Sequence, residues 1–260
     1  AITTVSPSYA EEITTAYYGE RLDGLIRARK DSLYGVLNGI DVNEYNPETD
    51  PMIYKTYSLK DMSGKAVDKA ELQRELGLEV NPDIPLIAMV GRLTNQKGLD
   101  LVNAIMPQVL DGNTQVVVLG TGDWNYEEAF RHAAAQYPGR FAAHMMYSAS
   151  LSTAIYGGAD LFLMPSVSEP CGLSQMNAMR YGTVPVVNAT GGLKDTVPPV
   201  DSSTNTGLGY TFQSYNGDDF WGAIDRCLGL YWHDQDGWKD LIRRDMSADF
   251  SWKKPAEKYM

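Results

Sequence analysis

From residue 84 to residue 188 the chain alternates between two hydrophobic patterns. The runs IPLIAMVG (84–91), QVVVLG (115–120), GRFAAHMM (139–146), DLFLMPS (160–166) and VPVVN (184–188) are short and mostly apolar. Such runs read as strands covered on both faces. Between them lie GLDLVNAIMPQVL (98–110), WNYEEAFRHAAAQY (124–137), SLSTAIYGGA (150–159) and CGLSQMNAMRYG (171–182), where apolar residues recur at helical spacing. Strands and helices in alternation imply βαβ units, hence an α/β fold: a parallel sheet with helices on both faces.

The flanks are less regular. ITTVS (2–6) reads as a strand and PSYAEEITTAY (7–17) as a helix, with Ser6 as N-cap and Pro7 at the first helical position. YGVLNGID (34–41) predicts a strand closing on an Asn38–Gly39 turn, and NPETDPMI (46–53) a loop. VDKAELQRELGL (67–78) predicts a helix ended by Gly77. VPPVDSSTNTGLGYTF (197–212) reads as a loop before a short strand, and 218–232 and 236–246 as amphipathic helices. The expected organisation is a lead-in over 1–83 packed on the same domain, a core over 84–235 and C-terminal helices over 236–260, with a boundary near VNPDI (80–84).

Charge and cysteine content narrow the chemistry. A net charge of −11 argues against nucleic acid as a partner, so any anionic ligand needs a local positive site. Cys171 and Cys227 make neither a disulfide framework nor a metal cluster and point to a reducing compartment. His132, His144 and His233 are too scattered to suggest metal ligands. No apolar run approaches the ~20 residues of a membrane span. The opening AITTVSPSYAEEITT has no signal-peptide pattern and no initiator Met, and the expectation is a segment excised from a longer chain.

In a doubly wound sheet, ligands bind beyond the carboxyl ends of the strands. After 84–91 come Arg92 and Lys97, two cations around a helix start. They are either solvated surface charges or an anion site suited to a diphosphate. After 115–119 comes a loop with Gly120, Gly122 and Asp123, either a tight turn or a place for a ligand's close approach. Tyr147 is either a residue at the edge of the core or a stacking platform for a base. After 160–166, Glu169 precedes a helix whose first turn is Cys171, Gly172, Leu173 and Ser174. Glu169 is either a capping carboxylate or a group that bonds sugar hydroxyls and stabilises a positive anomeric carbon. Cys171 is either a small buried residue or a thiol acidified by the helix start. Thr190, Gly191 and Gly192 form a tight turn or a further set of backbone donors for phosphate. Cations, backbone donors, a carboxylate and an aromatic at successive strand ends suit a nucleotide-sugar site.

At this point the sequence resembles the family of bacterial glycogen synthases and plant starch synthases. The segments that carry the resemblance are VSPSYAEEI, GVLNGID, YNPETDP, GRLTNQKGLDL, LGTGD, GGADLFLMPSVSEPCGLSQMNAMRYGTVPVV, TGGLKDTV and DFSW, in order from Val5 to Trp252. The resemblance implies the C-terminal, donor-binding domain of a retaining glucosyltransferase of the GT-B fold, with a Rossmann-like core. The acceptor half, with its Lys-x-Gly-Gly-Leu motif and histidine, is expected to be absent. On that basis the chain binds ADP or ADP-glucose, meets the α-1,4-glucan only through the missing domain, and does not synthesise polymer alone.

The resemblance also distributes roles. Arg92 and Lys97 hold the donor diphosphate without a metal, and no cofactor is expected. Glu169 contacts the donor glucose, and Gly172, Leu173 and Ser174 contact sugar and phosphate. The Gly120–Asp123 loop and Tyr147 lie at the nucleoside end, and Cys171 lies near the sugar. Many retaining GT-B enzymes carry a second glutamate eight positions after the first; Asn177 stands there, which argues against a paired-carboxylate mechanism. The implied setting is the bacterial cytoplasm rather than a plastid, with no membrane or nucleic-acid partner. The competing readings are another GT-B enzyme, such as a UDP-sugar transferase or an epimerase, and a non-catalytic nucleotide-binding module.

Overall fold

The computed structural model describes residues 1–260. The chain opens with β1 (Ile2–Thr4), α1 (Pro7–Glu12), α2 (Asp23–Ala28), β2 (Leu33–Gly35) and α3 (Ser63–Glu75). The alternating part follows: β3 (Leu86–Val90), α4 (Leu99–Asp111), β4 (Gln115–Leu119), α5 (Trp124–Gln136), β5 (Phe141–His144), α6 (Ala149–Gly158), β6 (Leu161–Met164), α7 (Ser174–Arg180), β7 (Val184–Asn188), α8 (Gly191–Thr196) and β8 (Tyr210–Phe212). Three helices close the chain, α9 (Gly217–His233), α10 (Gln235–Ser247) and α11 (Lys253–Tyr259).

Strands β3 to β8 form one sheet in the order β5-β4-β3-β6-β7-β8, every neighbouring pair parallel. The order runs outward from β3 in one direction and from β6 in the other. The two central strands therefore part company at their carboxyl ends, which opens a crevice there. β4, β6 and β7 are buried along their whole length, which is why their sequences carry no polar break.

The lead-in has a different character. β1 and β2 pair in parallel as a sheet of their own, with Ile2 opposite Leu33. α2 buries none of its residues. α1 nevertheless docks on α8: the backbone N–H and hydroxyl of Ser8 both donate to Asp195, at 2.9 and 2.6 Å. α3 is held to the base of the sheet by buried lysines. Lys65 Nζ donates to the carbonyls of Gly157, Ala159 and Tyr181 and to Thr183 Oγ1. Lys69 pairs with Asp160 at 2.7 Å, and Asp160 also accepts the Leu86 N–H.

Several boundaries differ from the sequence expectation for local reasons. The helix expected over 7–17 stops at Glu12, where the hydroxyls of Thr14 and Thr15 turn back onto the carbonyls of Glu11 and Glu12. The strand expected over 34–41 is confined to Leu33–Gly35. The helix expected to start at Cys171 starts at Ser174, because Gly172 adopts φ +70° and the Gln175 side chain ties up the carbonyls of Cys171 and Gly172.

Candidate active site

The crevice between β3 and β6 is framed by the loops that follow those strands. Gly98 has φ +72°, and a Cβ on it would stand 2.0 Å from the carbonyl oxygen of Pro165. Only glycine lets the two loops lie this close. Val167 N–H donates to the carbonyl of Gln96 at 2.9 Å, and Gln96 Nε2 donates to the carbonyl of Ser168 at 3.0 Å.

Across this seam, Lys97 Nζ meets Glu169 Oε2 at 2.5 Å, and the Ser166 hydroxyl donates to the same oxygen at 3.2 Å. Both partners are largely shielded from solvent. A third loop supports the carboxylate: the Gly192 N–H donates to the Glu169 carbonyl at 2.9 Å. A Cβ on Gly191 would stand 2.1 Å from that oxygen. Asn188 Nδ2 completes the support with a bond to the carbonyl of Ser166. Glu169 is thus held at backbone and side chain by neighbours from β3, β6 and β7.

Positive potential gathers beside the pair. Arg92 leaves β3 exposed to solvent and without a partner in the chain. The backbone N–H groups of residues 172–176, through the αL turn into α7, find no acceptor within the chain. Five successive N–H groups, a guanidinium and a lysine with two N–H bonds left after Glu169 are thus free to donate on the loops that frame the crevice. Of the residues singled out from sequence, Lys97 and Glu169 meet here; Gly172, Leu173 and Ser174 follow Glu169 along the chain, and Arg92 stands on the same loop as Lys97.

The remaining candidates behave differently. Thr190, Gly191 and Gly192 are not open donors. Glu12 Oε1 accepts the Gly191 N–H at 2.7 Å and the Thr190 hydroxyl at 3.1 Å, and Gly192 serves Glu169. Cys171 is buried, and its thiol pKa is raised by that burial, with the charges of Glu169 and Asp195 adding to the rise. The acidified-thiol reading therefore fails, since the helix start lies three residues further on. Gly120 and Gly122 permit loop packing: a Cβ at either would stand 1.9 Å from the Gly91 carbonyl oxygen or 2.3 Å from that of Leu93. Asp123 is exposed at the head of α5. Tyr147 is 88% exposed rather than at the core edge. It lines a cavity of about 290 Å³ with Tyr45, Asp50, Met52 and Thr153. Asn177 is buried, its Oδ1 without a partner.

Sequence reasoning missed Glu12 and Ser166. Ser166 closes a strand and carries no motif of its own. Glu12 reaches a partner 179 residues away, for which the local sequence holds no signal.

Comparison with known proteins shows the family and the fold. Residues 70–234 match the family model described as glycosyl transferases group 1, and residues 1–28 match that of the starch synthase catalytic domain. Proteins named glycogen synthase are similar over the whole chain. That of Geobacillus thermodenitrificans is 52% identical over 99% of the chain and 53% of its own length, and that of Clostridium novyi 48% over 100% and 54%. The catalytic domain of starch synthase IV from Arabidopsis thaliana, bound to ADP and acarbose, superposes with a TM-score of 0.94. It is 37% identical, over 99% of this chain and 54% of that one. Sucrose-phosphate synthase of Thermosynechococcus elongatus, 21% identical with a TM-score of 0.65 over 99% of this chain and 56% of its own, shares the fold. The chain spans about half the length of the curated relatives it matches. With a six-stranded parallel sheet, a charged crevice at its switch point and a family model that covers most of its length, the chain belongs to the group 1 glycosyl transferases.

Proposed function

We propose that this chain is the donor-binding part of a retaining glucosyltransferase that moves glucose from ADP-glucose to the non-reducing end of an α-1,4-glucan. The observation that carries the proposal is the Lys97–Glu169 pair at the switch point, set beside free N–H groups at 172–176. The glycogen synthase relatives and the ADP-bound starch synthase neighbour support the same reading.

In this reading the diphosphate lies between Arg92, Lys97 and the 172–176 turn, with Ser174 adding a hydroxyl. Lys97 keeps one bond to Glu169 and turns its other two donors to phosphate. Glu169, fixed from both sides, faces the glucose together with Gly172 and Leu173. The loop of Gly120, Gly122 and Asp123 and the exposed Tyr147 flank the nucleoside. Cys171, with its raised pKa, stays a neutral thiol near the sugar without a chemical role. Thr190, Gly191 and Gly192 act by bracing Glu169 rather than by touching phosphate.

Cleavage of the sugar–phosphate bond puts negative charge on ADP and positive charge on the anomeric carbon. Cations and N–H groups fixed in advance stabilise the first, and the Glu169 carboxylate the second. We assign no step to a metal ion, since the crevice's own donors balance the leaving charge. The acceptor hydroxyl enters from the same face, so configuration is retained. The acceptor side belongs to sequence outside this chain, and the isolated chain is proposed to bind donor without turnover. Two free cysteines suit a bacterial cytoplasm, and no helix is long and apolar enough to cross a membrane.

Calorimetric titration of the chain with ADP and with UDP tests the proposal. ADP is expected to bind more tightly, and Lys97→Ala to weaken it. Binding of neither nucleotide, or UDP in preference, would overturn the reading.

A further inference from the structure

A cavity of about 350 Å³ lies between residues 37–38, Met176 of α7, the end of α8 and the stretch that leads from α10 into α11. None of Arg92, Lys97, Glu169 or residues 172–174 lines it, so it is separate from the crevice. Its volume falls in the range of small-molecule sites. The floor is apolar, made of Leu37, Met176, Leu208, Phe250 and Pro255. The thioether of Met176 and the ring of Phe250 suit the flat body of an aromatic ligand.

The charged groups in the wall select the rest of the ligand. They are Asp195, Asp249, Lys254 and Lys258. The carboxylates are already engaged. Asp195 accepts from the N–H and the hydroxyl of Ser8, and Asp249 Oδ1 accepts from the Ser251 N–H at 3.0 Å. The lysines are not engaged, since neither forms an ion pair in the chain. Four residues apart on α11, they share one face of the helix. Each has three N–H donors to offer. An anionic head group therefore finds two partners here, while a cationic one meets carboxylates already in use.

We propose that this cavity binds a small aromatic carboxylate, its ring on Met176 and Phe250 and its carboxylate at Lys254 and Lys258. The site does not depend on the donor reading. Thr196, also in the wall, accepts at its Oγ1 from Gln175 Nε2 at 3.0 Å, and Met176 belongs to the 172–176 turn. An occupant thus touches the elements that carry the free N–H groups of the crevice.

Titration of the labelled 260-residue chain with benzoate, followed by amide NMR at low salt, tests this. Benzamide, neutral and of the same shape, is the control. Benzoate is expected to shift Thr196, Leu208 and Lys254, with a dissociation constant on the order of 1 mM. Benzamide should bind about tenfold more weakly, as loss of two exposed ammonium contacts implies. A chain of net charge −11 repels anions as a whole, so a preference for benzoate reports the two lysines. In Lys254→Ala/Lys258→Ala the preference should vanish; both side chains are exposed, so the variant keeps its fold. Ala248→Phe puts a ring into the cavity wall from a part-exposed position and should abolish binding of both probes, with thermal melting as the check on its fold. Equal affinity for benzoate and benzamide, a preference that survives the double variant, or no shift at about ten times the expected dissociation constant overturns the site.

Discussion

Replacing Gly98 with alanine puts the seam between the two switch-point loops under direct test. The new Cβ would lie 2.0 Å from the Pro165 carbonyl oxygen and 2.7 Å from its carbon. Real Cβ contacts essentially never fall under 3.0 Å, so the loops must part by about 3.0 − 2.0 = 1.0 Å. The obstacle is backbone, and no rotamer change relieves it. The left-handed φ of +72° adds about 1–3 kcal/mol for a residue other than glycine. A destabilisation of that size lowers Tm by about 2–4 °C per kcal/mol in a chain of this length. Lys97 precedes the substituted residue, so its ammonium moves away from Glu169. A misplacement of about 1 Å in a catalytic constellation costs on the order of 10²-fold in rate. Differential scanning calorimetry and ADP titration of the chain, with turnover in the full-length enzyme, read these effects. Gly229→Ala serves as the contrast. It lies inside α9 with no atom within 4 Å of the new methyl, and should stabilise by about 0.5–1 kcal/mol. A Gly98→Ala protein that melts with wild type and binds ADP as tightly would refute the reasoning.

Other outcomes follow from named groups. In the full-length enzyme, Arg92→Ala and Lys97→Ala should each lower turnover by about 10²–10³, as loss of one fixed charge-stabilising donor does; near-normal rates in both would remove their assigned roles. Glu12→Ala frees the Gly191 N–H and the Thr190 hydroxyl and should cost about 1–3 kcal/mol in urea unfolding, with Glu12→Gln recovering part of it; an unchanged midpoint would show that the clasp is idle. Burial lowers the pKa of Lys65 from 10.5 to about 8. Between pH 8 and 10.5 the unfolded chain therefore holds the extra proton, and this residue's contribution to stability rises with pH, by on the order of 3 kcal/mol. The difference between wild type and Lys65→Met in urea unfolding should grow across that window; a constant difference would contradict the buried-lysine account.

The sheet was legible in the sequence because parallel strands buried on both faces appear as unbroken apolar runs, and VVVL and LFLM do so in β4 and β6. The crevice residues were legible by position, since Arg92, Lys97 and Glu169 each follow a strand. Their contact was not, because it depends on Gly98 lying against Pro165, 67 residues further along the chain. Side-chain bonds, one local and one long-range, also account for the errors. The Gln175 amide delays the start of α7, so the Cys171 thiol meets Glu169 and Asp195 instead of a helix end. Glu12 takes the donors that made Thr190–Gly192 look like a phosphate turn.

The central claim is that a diphosphate settles on the switch-point crevice, and backbone amide NMR of the labelled chain during an ADP titration tests it most directly. The largest shifts should fall on the N–H groups of residues 172–176, with a smaller change at Lys97 and little at Gly191 and Gly192, whose donors are already engaged. Shifts concentrated at Gly191 and Gly192, or far from β3 and β6, would contradict the account.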